Sequence, residues 1–433
     1  YLHFVQLRKG NNMDTMQILS IVVFLAVMVA IVSEKIHRTV AAVAGAVVLI
    51  FLHVLSVEKA VEYIDFNTIG VLIGMMLFIA VVRNSGLFEY VAIKSAKLAN
   101  GNPWKIMLFF AIITAILSAF LDNVTTVLLV GPMTIAITSI LGLNPVPFLI
   151  TQIFASNIGG TATLIGDPPN IMIGSQADLS FMDFVINTGS AVIIIVPVIC
   201  ICFYFIYGKH MKVSEEQMAG VMKLDENKSI KDHSLLIKSL VMIVLVVLGF
   251  VFHSSLGVDS CAIALASATI MLLIGKQDTE EIVLGVEWST ILFFTGLFVV
   301  VGGMVETGVI TALGGALVDA TGGNTMMLMI LILWGSAIFS SFLDNIPFVA
   351  TMIPLILTMQ SDGMNVMPLW WALSLGACLG GNGTLIGASA NVVLSGISAK
   401  HGHPITFARY LKVGFPMMVL SVAISMVYLL IRF

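Results

Sequence analysis

The sequence predicts an all-α polytopic membrane protein made of inverted repeats of five transmembrane helices each plus a re-entrant hairpin, with one broken helix per repeat. Three observations carry that reading. The 433 residues are 59% hydrophobic and only 10% charged, with a mean hydropathy of +1.06, which leaves too little polar surface to cover a soluble globule. The apolar runs are each about 17 to 21 residues long, the helical span of a hydrocarbon core, and strand alternation is absent. The third observation is a long internal repeat. Leu121-Asp122-Asn123 recurs 222 residues later as Leu343-Asp344-Asn345, and the same offset aligns Asp65-Phe66-Asn67-Thr68-Ile69 with Glu287-Trp288-Ser289-Thr290-Ile291, Gly74 with Gly296 and Pro132 with Pro354. Further on, at an offset of 221, Gly159-Gly160-Thr161-Ala162-Thr163-Leu164-Ile165-Gly166-Asp167-Pro168-Pro169-Asn170 lies over Gly380-Gly381-Asn382-Gly383-Thr384-Leu385-Ile386-Gly387-Ala388-Ser389-Ala390-Asn391.

Residues 16–33 and 40–55 form the first two spans, joined by the basic link Glu34-Lys35-Ile36-His37-Arg38, and residues 68–82 form the third. In 87–98, Lys94 and Lys97 interrupt the apolar pattern, as in an amphipathic helix lying at the interface. Between 103 and 141 two apolar arms flank Asp122-Asn123, which puts the break roughly 25 Å along each arm if both are helical. Two folds fit: two full spans with the break at the far surface, or a re-entrant hairpin whose tip stops inside the bilayer. Residues 147–174 are a span broken by Asn157, Gly159-Gly160 and Gly166-Asp167-Pro168-Pro169, because Pro removes backbone donors and Gly weakens the helix. Unwound backbone at membrane depth survives only where it lines a cavity or a site. Residues 191–207 close the first half. The second half repeats the order with spans at 236–252, 262–274 and 290–305, two arms around Asp344-Asn345, a broken span at 368–397 and a last span at 415–431.

The chain thus divides into a first transmembrane repeat at 13–207, a hydrophilic cytoplasmic connector at 208–235 and a second, inverted repeat at 236–433. Residues 1–12 lack a starting Met, so Met13 reads as the natural start and the leader as vector-derived or a mis-called start. An odd repeat followed by its copy must insert upside down, a signature of secondary transporters. Charge placement tests this independently: with the first span starting outside, one face collects all but Arg8, Lys9, Lys59 and Arg432 of the 20 basic residues. That face is expected to be cytoplasmic, with both termini outside the plasma membrane.

Asp122 and Asp344 are the sharpest candidates. A charged carboxylate in a bilayer is costly, so it takes a proton or neutralises a cation; the competing reading is a loop aspartate capping the next helix. Asn123, Thr125, Thr126 and Asn345 would surround the tips with amide and hydroxyl groups, with Asn123 and Asn345 a candidate sodium site. Asn157, Thr161, Thr163, Asn170, Asn382, Thr384 and Asn391 supply further polar groups in the broken spans, where they either bind cargo or cap broken helix ends. Asp167 has no acidic counterpart, since Ala388 stands there, and is either a helix cap or a third titrating group. Cys200, Cys202, Cys261 and Cys378 lack metal-ligand spacing and read as small core residues. Trp104, Trp288, Trp370 and Trp371 lie near span ends as interface anchors, and Glu306 reads as an interfacial charge or a gate.

Leu121-Asp122-Asn123-Val124-Thr125-Thr126 with Pro132, then Asn157-Ile158-Gly159-Gly160 and Gly166-Asp167-Pro168-Pro169-Asn170, resemble the arsenite permease and P-protein branch of the ion transporter superfamily, which is related to sodium/proton antiporters and citrate/dicarboxylate permeases. The resemblance implies that the hairpin tips and broken spans bind substrate and coupling ion, and, relatives often being dimers, a homodimer is a candidate assembly. Some relatives are sodium-coupled dicarboxylate carriers with a Ser-Asn-Thr tip, where this chain has Asp122-Asn123 and Asp344-Asn345. No Lys or Arg falls in any tip or unwound segment, so a dianion would have little to compensate it except helix dipoles.

The leading expectation is therefore proton-coupled efflux of arsenite or antimonite. Sodium/proton antiport by the same aspartates is the alternative, and anion or dicarboxylate carriage comes third. The partners are then a small inorganic substrate, a proton or sodium ion and the lipid bilayer, with no cofactor and no nucleic acid. An enzyme would need a phosphate loop, zinc motif or nucleophile motif, and the sequence contains none of these.

Overall fold

Backbone amides in hydrocarbon must find partners within their own segment, and the apolar runs meet that demand as helices. The computed structural model describes residues 14–33 and 35–433, and every regular element among them is helical. The leader with Arg8 and Lys9, Met13, and Glu34 of the basic link lie outside the described residues.

In the first repeat, α1 (Thr15–Ser33) and α2 (Arg38–Phe51) are followed by the short α3 (Val57–Glu62), by α4 (Phe66–Arg83) and by the amphipathic α5 (Leu87–Leu98). Next, α6 (Pro103–Phe120) and α7 (Asn123–Ile140) flank Asp122, while α8 (Val146–Gly160) and α9 (Pro168–Ala177) flank an unwound stretch at 161–167. The short α10 (Phe181–Phe184) runs through a π-helical turn at Val185–Gly189 into α11 (Ser190–Ile206), and α12 (Glu215–Met222) lies in the connector. The second repeat holds α13 (His233–Leu256), α14 (Ser260–Gly275), α15 (Thr279–Leu284), α16 (Trp288–Glu306) and α17 (Val309–Ala320). It continues with α18 (Thr325–Phe342), α19 (Asn345–Ser361), α20 (Met367–Gly380), α21 (Ser389–Lys400) and α22 (Phe407–Arg432).

Eight helices among the described residues are long and apolar enough to cross a membrane, so the chain is a multi-pass helical membrane protein. The spans expected at 40–55 and 262–274 form shorter helices of 14 and 16 residues. At about 21 and 24 Å these fall short of a hydrocarbon core of about 30 Å. The second-half counterpart of α5 was not legible in the sequence, because Thr311, Gly314, Gly315 and Asp319 dilute its apolar pattern; α17 nevertheless occupies the same place, 222 residues on.

The contacts divide the chain into two compact units, Tyr1–Asp65 with Trp288–Ala320 and Phe66–Glu287 with Thr321–Phe433, which do not follow the two sequence repeats. The reason is packing across the repeat. In the first unit, Gly296 of α16 brings its backbone against Ala42 and Val43 of α2; in the second, Gly74 of α4 sits against Ala264 and Leu265 of α14. Each fourth-position helix thus packs on the first helices of the other repeat. Small residues at these crossings let the backbones approach closely, as is usual between helices in lipid. In the first unit Glu306 accepts a hydrogen bond of 2.7 Å from the Tyr63 hydroxyl.

The connector is packed rather than loose. Ser214 caps α12 in a reciprocal box with Gln217, and Val221 is buried in a cluster with Ala92, Ala96, Phe110 and Phe148. Glu226 is clamped by Lys94 at 3.1 Å and Lys97 at 2.5 Å, two lysines one turn apart on α5. Trp370 and Trp371, expected as interface anchors, are instead fully buried, and Trp371 packs edge-on against Phe184 at 5.3 Å. The sequence shows only that they stand near a span end, and not that neighbouring helices cover that end.

Hydrogen bonds from Lys97 and Lys94 hold the Glu226 carboxyl down at about 2 from its ordinary 4.5. A depressed acid stabilises the fold above its unfolded value and loses that contribution only as pH falls toward the folded one. Proteolysis within 211–233 is therefore expected to stay slow from pH 7 to pH 4 in the native chain. It should rise about twofold at both pH values in Glu226→Gln, the effect of losing both partly screened ion pairs to Lys94 and Lys97. Gly380→Val places a Cβ against the Ala337 backbone, whereas Gly315 has open space around it. The first substitution should cost about 1–3 kcal/mol in thermal unfolding of the detergent-solubilised protein and Gly315→Val clearly less.

Candidate functional site

Apart from Glu306, all the polar positions singled out by the sequence lie in the second compact unit, on two helix-break-helix elements and two broken helices. The α6–α7 break is short because Asp122 caps α7, its Oδ1 accepting from the Thr125 amide at 2.9 Å and its Oδ2 from the Thr125 hydroxyl at 2.5 Å. In the second half, Asp344 caps α19 by accepting from the Ile346 amide, and it also accepts from the Ser389 hydroxyl at 3.0 Å. The capping geometry weighed against a functional role is thus present at both aspartates. Thr125 is committed to Asp122, and the buried Thr126 hydroxyl has no protein partner.

Asp167 behaves differently. It stands at the N-cap of α9 but makes no side-chain cap, and only 2% of its surface is exposed. Asn345, from the tip of the other hairpin, directs its Nδ2 at both carboxylate oxygens, at 3.4 and 3.5 Å. Asn123, Cys378 and Asp344 lie close enough to the same carboxylate to act on it electrostatically. One carboxylate therefore gathers the tips of both hairpins and the second broken helix. Neither Asp122 nor Asp167 forms an ion pair with any lysine or arginine among the described residues.

The unwound stretches are held by asparagines placed alike in both halves. Asn170 donates to the Thr163 carbonyl at 2.9 Å and, at longer range, to those of Gly160 and Thr161, while Asn391 donates to Gly381 at 2.7 Å and Thr384 at 3.0 Å. The hydroxyls of Thr163 and Thr384 donate to the Ala119 and Ser341 carbonyls, tying each broken span to its hairpin, and the Thr161 hydroxyl donates back to the Asn157 carbonyl. The hydroxyl protons of these three threonines are thus given to backbone carbonyls.

The two halves are braced to each other. Asn157 Nδ2 donates to Asn382 Oδ1 at 2.9 Å and to Asn391 Oδ1 at 3.0 Å; in the mirrored position, Cys378 Sγ donates to Asn170 Oδ1, which also accepts from Ser374 at 2.7 Å. Asn157 Oδ1 and Asn382 Nδ2 are buried without a protein partner. Such atoms are few in native proteins and mark places where a further polar group is accommodated.

Glycines set how closely these parts approach. A Cβ on Gly160 would meet the Asn123 amide oxygen and the Gly166 carbonyl, so the hairpin tip can seat against the break only because no side chain stands there. Ser118 donates to Asn123 Oδ1 at 2.6 Å and fixes that side chain. Sequence reasoning missed Ser118, Ser374, Ser389 and Cys378. Ser118 carried a signal, since Ser340 follows it at the repeat offset, whereas Cys378 was read as core because it has no metal-ligand spacing. No cluster of three His, Cys, Asp or Glu side chains suited to a metal ion occurs among the described residues.

Hairpin tips and broken helices converging on buried polar groups inside a multi-pass bundle define a secondary transporter. The sequence profile of the citrate transporter family matches residues 28–376, and the chain belongs to that family. A 46 kDa membrane protein of Mycobacterium leprae is 40% identical over 425 residues, covering 96% of this chain and 99% of its own, and a protein of Mycobacterium tuberculosis named as an uncharacterized transporter matches equally well over 426 residues. The human P protein is 34% identical over 506 aligned residues, spanning 97% of this chain and 60% of its own length, in line with the P-protein resemblance. The crystal structure of the Alcanivorax borkumensis YdaH transporter shares the fold, with a TM-score of 0.62 and 12% identity over 96% of this chain and 98% of that one.

Asn157→Ala leaves the Asn382 and Asn391 acceptors without their donor and should cost about 1–3 kcal/mol in unfolding of the detergent-solubilised protein. An unchanged midpoint would remove this brace from the account of stability.

Proposed function

We propose that the chain is a proton-coupled secondary transporter whose cargo is a small cation or a neutral hydroxide, with arsenite or antimonite efflux as the leading reading. The carrying observation is that Asp167, with Asp344 nearby, is buried where the second hairpin tip meets the first broken helix and has no lysine or arginine paired with it among the described residues. Such a site favours a proton or a cation over a bare anion, because burial of an uncompensated negative charge is costly. Asp122 and Asp344 take part in proton exchange, and Asp167 joins them as a third exchanging group. Asn123, Asn345, Asn157 and Asn382 offer the amide groups that hold cargo or, in the sodium/proton alternative, a sodium ion. Protonation and cargo binding then compete, and alternating exposure turns a proton gradient into transport.

The membrane arrangement is part of the same proposal: two inverted repeats, each with a re-entrant hairpin, and the connector and basic loops on the cytoplasmic face. The re-entrant reading is supported by the contacts of the first tip, where Asn123 and Ala119 meet Ser156, Gly160 and Thr163, at the middle of the broken span rather than beyond its end. Citrate, the cargo in the family's name, is the second reading, favoured by the profile match over 28–376. In this acidic site citrate would need its charge compensated by protons or by an accompanying cation.

The deciding measurement is uptake into proteoliposomes under an imposed pH gradient, comparing arsenite, sodium and citrate. Asp167→Asn should lower gradient-driven flux about tenfold or more, within the usual range of coupling free energies. Asp122→Asn keeps the helix cap, since Asn caps as well as Asp, and so reports on charge alone. Unchanged flux in Asp167→Asn would take that carboxylate out of coupling, and uptake of citrate alone would overturn the cargo assignment.

A further inference from the structure

Beside the α6–α7 tip lies a cavity of about 300 Å³ whose lining residues, from α4, α5, α6, α13 and the breaks at Leu121 and Ile165, are all apolar. Its inner wall includes Phe78 of α4, Leu121 beside Asp122 and Ile165 of the unwound stretch, each less than a tenth exposed. Its mouth is flanked by Ile116 of α6, 55% exposed, and Leu240 of α13, 47% exposed.

We propose that this cavity is a lipid site, occupied by an acyl chain of a membrane phospholipid. Water is a poor occupant, because no lining side chain offers a hydrogen bond, and apolar cavities about half this size stay dry and take up apolar molecules. An empty space is poor as well, because the lining atoms then forfeit their dispersion contacts. The mouth opens onto exposed apolar surface of the kind that faces lipid in a membrane-embedded chain: α13 has the highest hydropathy of the long helices, and its exposed face at Ile237, Val241, Val244, Leu245 and Leu248 adjoins Leu240. An acyl chain reaches the cavity from that belt by passing between Ile116 and Leu240, without crossing any polar surface. Once inside, it lies against Leu121 and Ile165 and fills the space on which the tip carrying Asp122 would otherwise collapse. The inference rests on the chain being embedded in a bilayer, and on neither the cargo nor the coupling ion proposed above.

The test uses the full chain in phosphatidylcholine vesicles in which a fraction of the lipid carries a diazirine midway along one acyl chain. After illumination, insertion sites are mapped by peptide mass spectrometry. Phe78 and Val246 line the cavity and are only 1% and 4% exposed, so a lipid confined to the outer belt cannot reach them. Insertion at Phe78 and Val246, alongside the exposed Val244, is the expected result. In Val247→Trp, which fills the space with an indole, insertion at Phe78 should fall at least about fivefold with Val244 unchanged. Label restricted to Val244 and other belt residues in the native chain overturns the proposal whether or not the variant folds. Loss of label at Ile116 and Leu240 together with chain-to-chain cross-links across this face also overturns it, since a second copy would then cover the mouth. A cargo assignment that fails in the flux assay leaves this labelling pattern unaffected.

Discussion

A peptide group stripped of its helical partner cannot be left bare in hydrocarbon, and the second compact unit is arranged around that constraint. The stretches after α8 and α20 lose their regular bonding at Gly159-Gly160 and Gly380-Gly381; freed carbonyls there are taken up by the amides of Asn170 and Asn391, while the Thr163 and Thr384 hydroxyls donate to the hairpin carbonyls of Ala119 and Ser341. Most of the polar side chains in the core are thereby explained by structure first. Outside that duty stand Asp167, which makes no cap, and the amide atoms of Asn157 and Asn382 that have no partner among the described residues.

The duplication is close in backbone and unequal in chemistry. Asn157 in one half corresponds to Cys378 in the other, and each donates across to the opposite asparagine, so the brace keeps its form while its strength differs, thiols being weak donors. Asp167 corresponds to Ala388 at the repeat offset, so the two breaks contribute a single buried carboxylate between them. The repeat that supplies no acid supplies an asparagine, Asn345, which points its amide at that carboxylate.

Much of this was legible in the sequence, and the reasons for the gaps are physical. The offsets of 222 and 221 residues located every hairpin and break, because glycines and prolines in an apolar run declare unwound backbone directly. The ranking among the acids was not legible. Asp122 and Asp344 drew notice by recurring, but recurrence cannot separate a shared capping duty from a shared coupling duty, and both do cap. Asp167 lacks a repeat partner and so looked ambiguous, although its burial and its unused cap position set it apart. The side chains of Ser374 and Cys378 lie about 200 residues from the asparagine they serve, a pairing visible only once α9 and α20 are in contact. α17 escaped notice because small and polar residues thin out its apolar stripe, while the buried tryptophans show that proximity to a span end says nothing about what covers it.

The docked connector has a practical corollary. The hydrophilic run between the repeats is the obvious place to cut such a chain into two co-expressed fragments. Val221 and Glu226, however, belong to the packing of the first half, so a cut at the start of the run would strip that fragment of its own cover. A cut at Lys231-Asp232, just before α13, leaves α12 and the clamped glutamate with the fragment they protect, and complementation between separately translated halves should depend on which side of them the break falls.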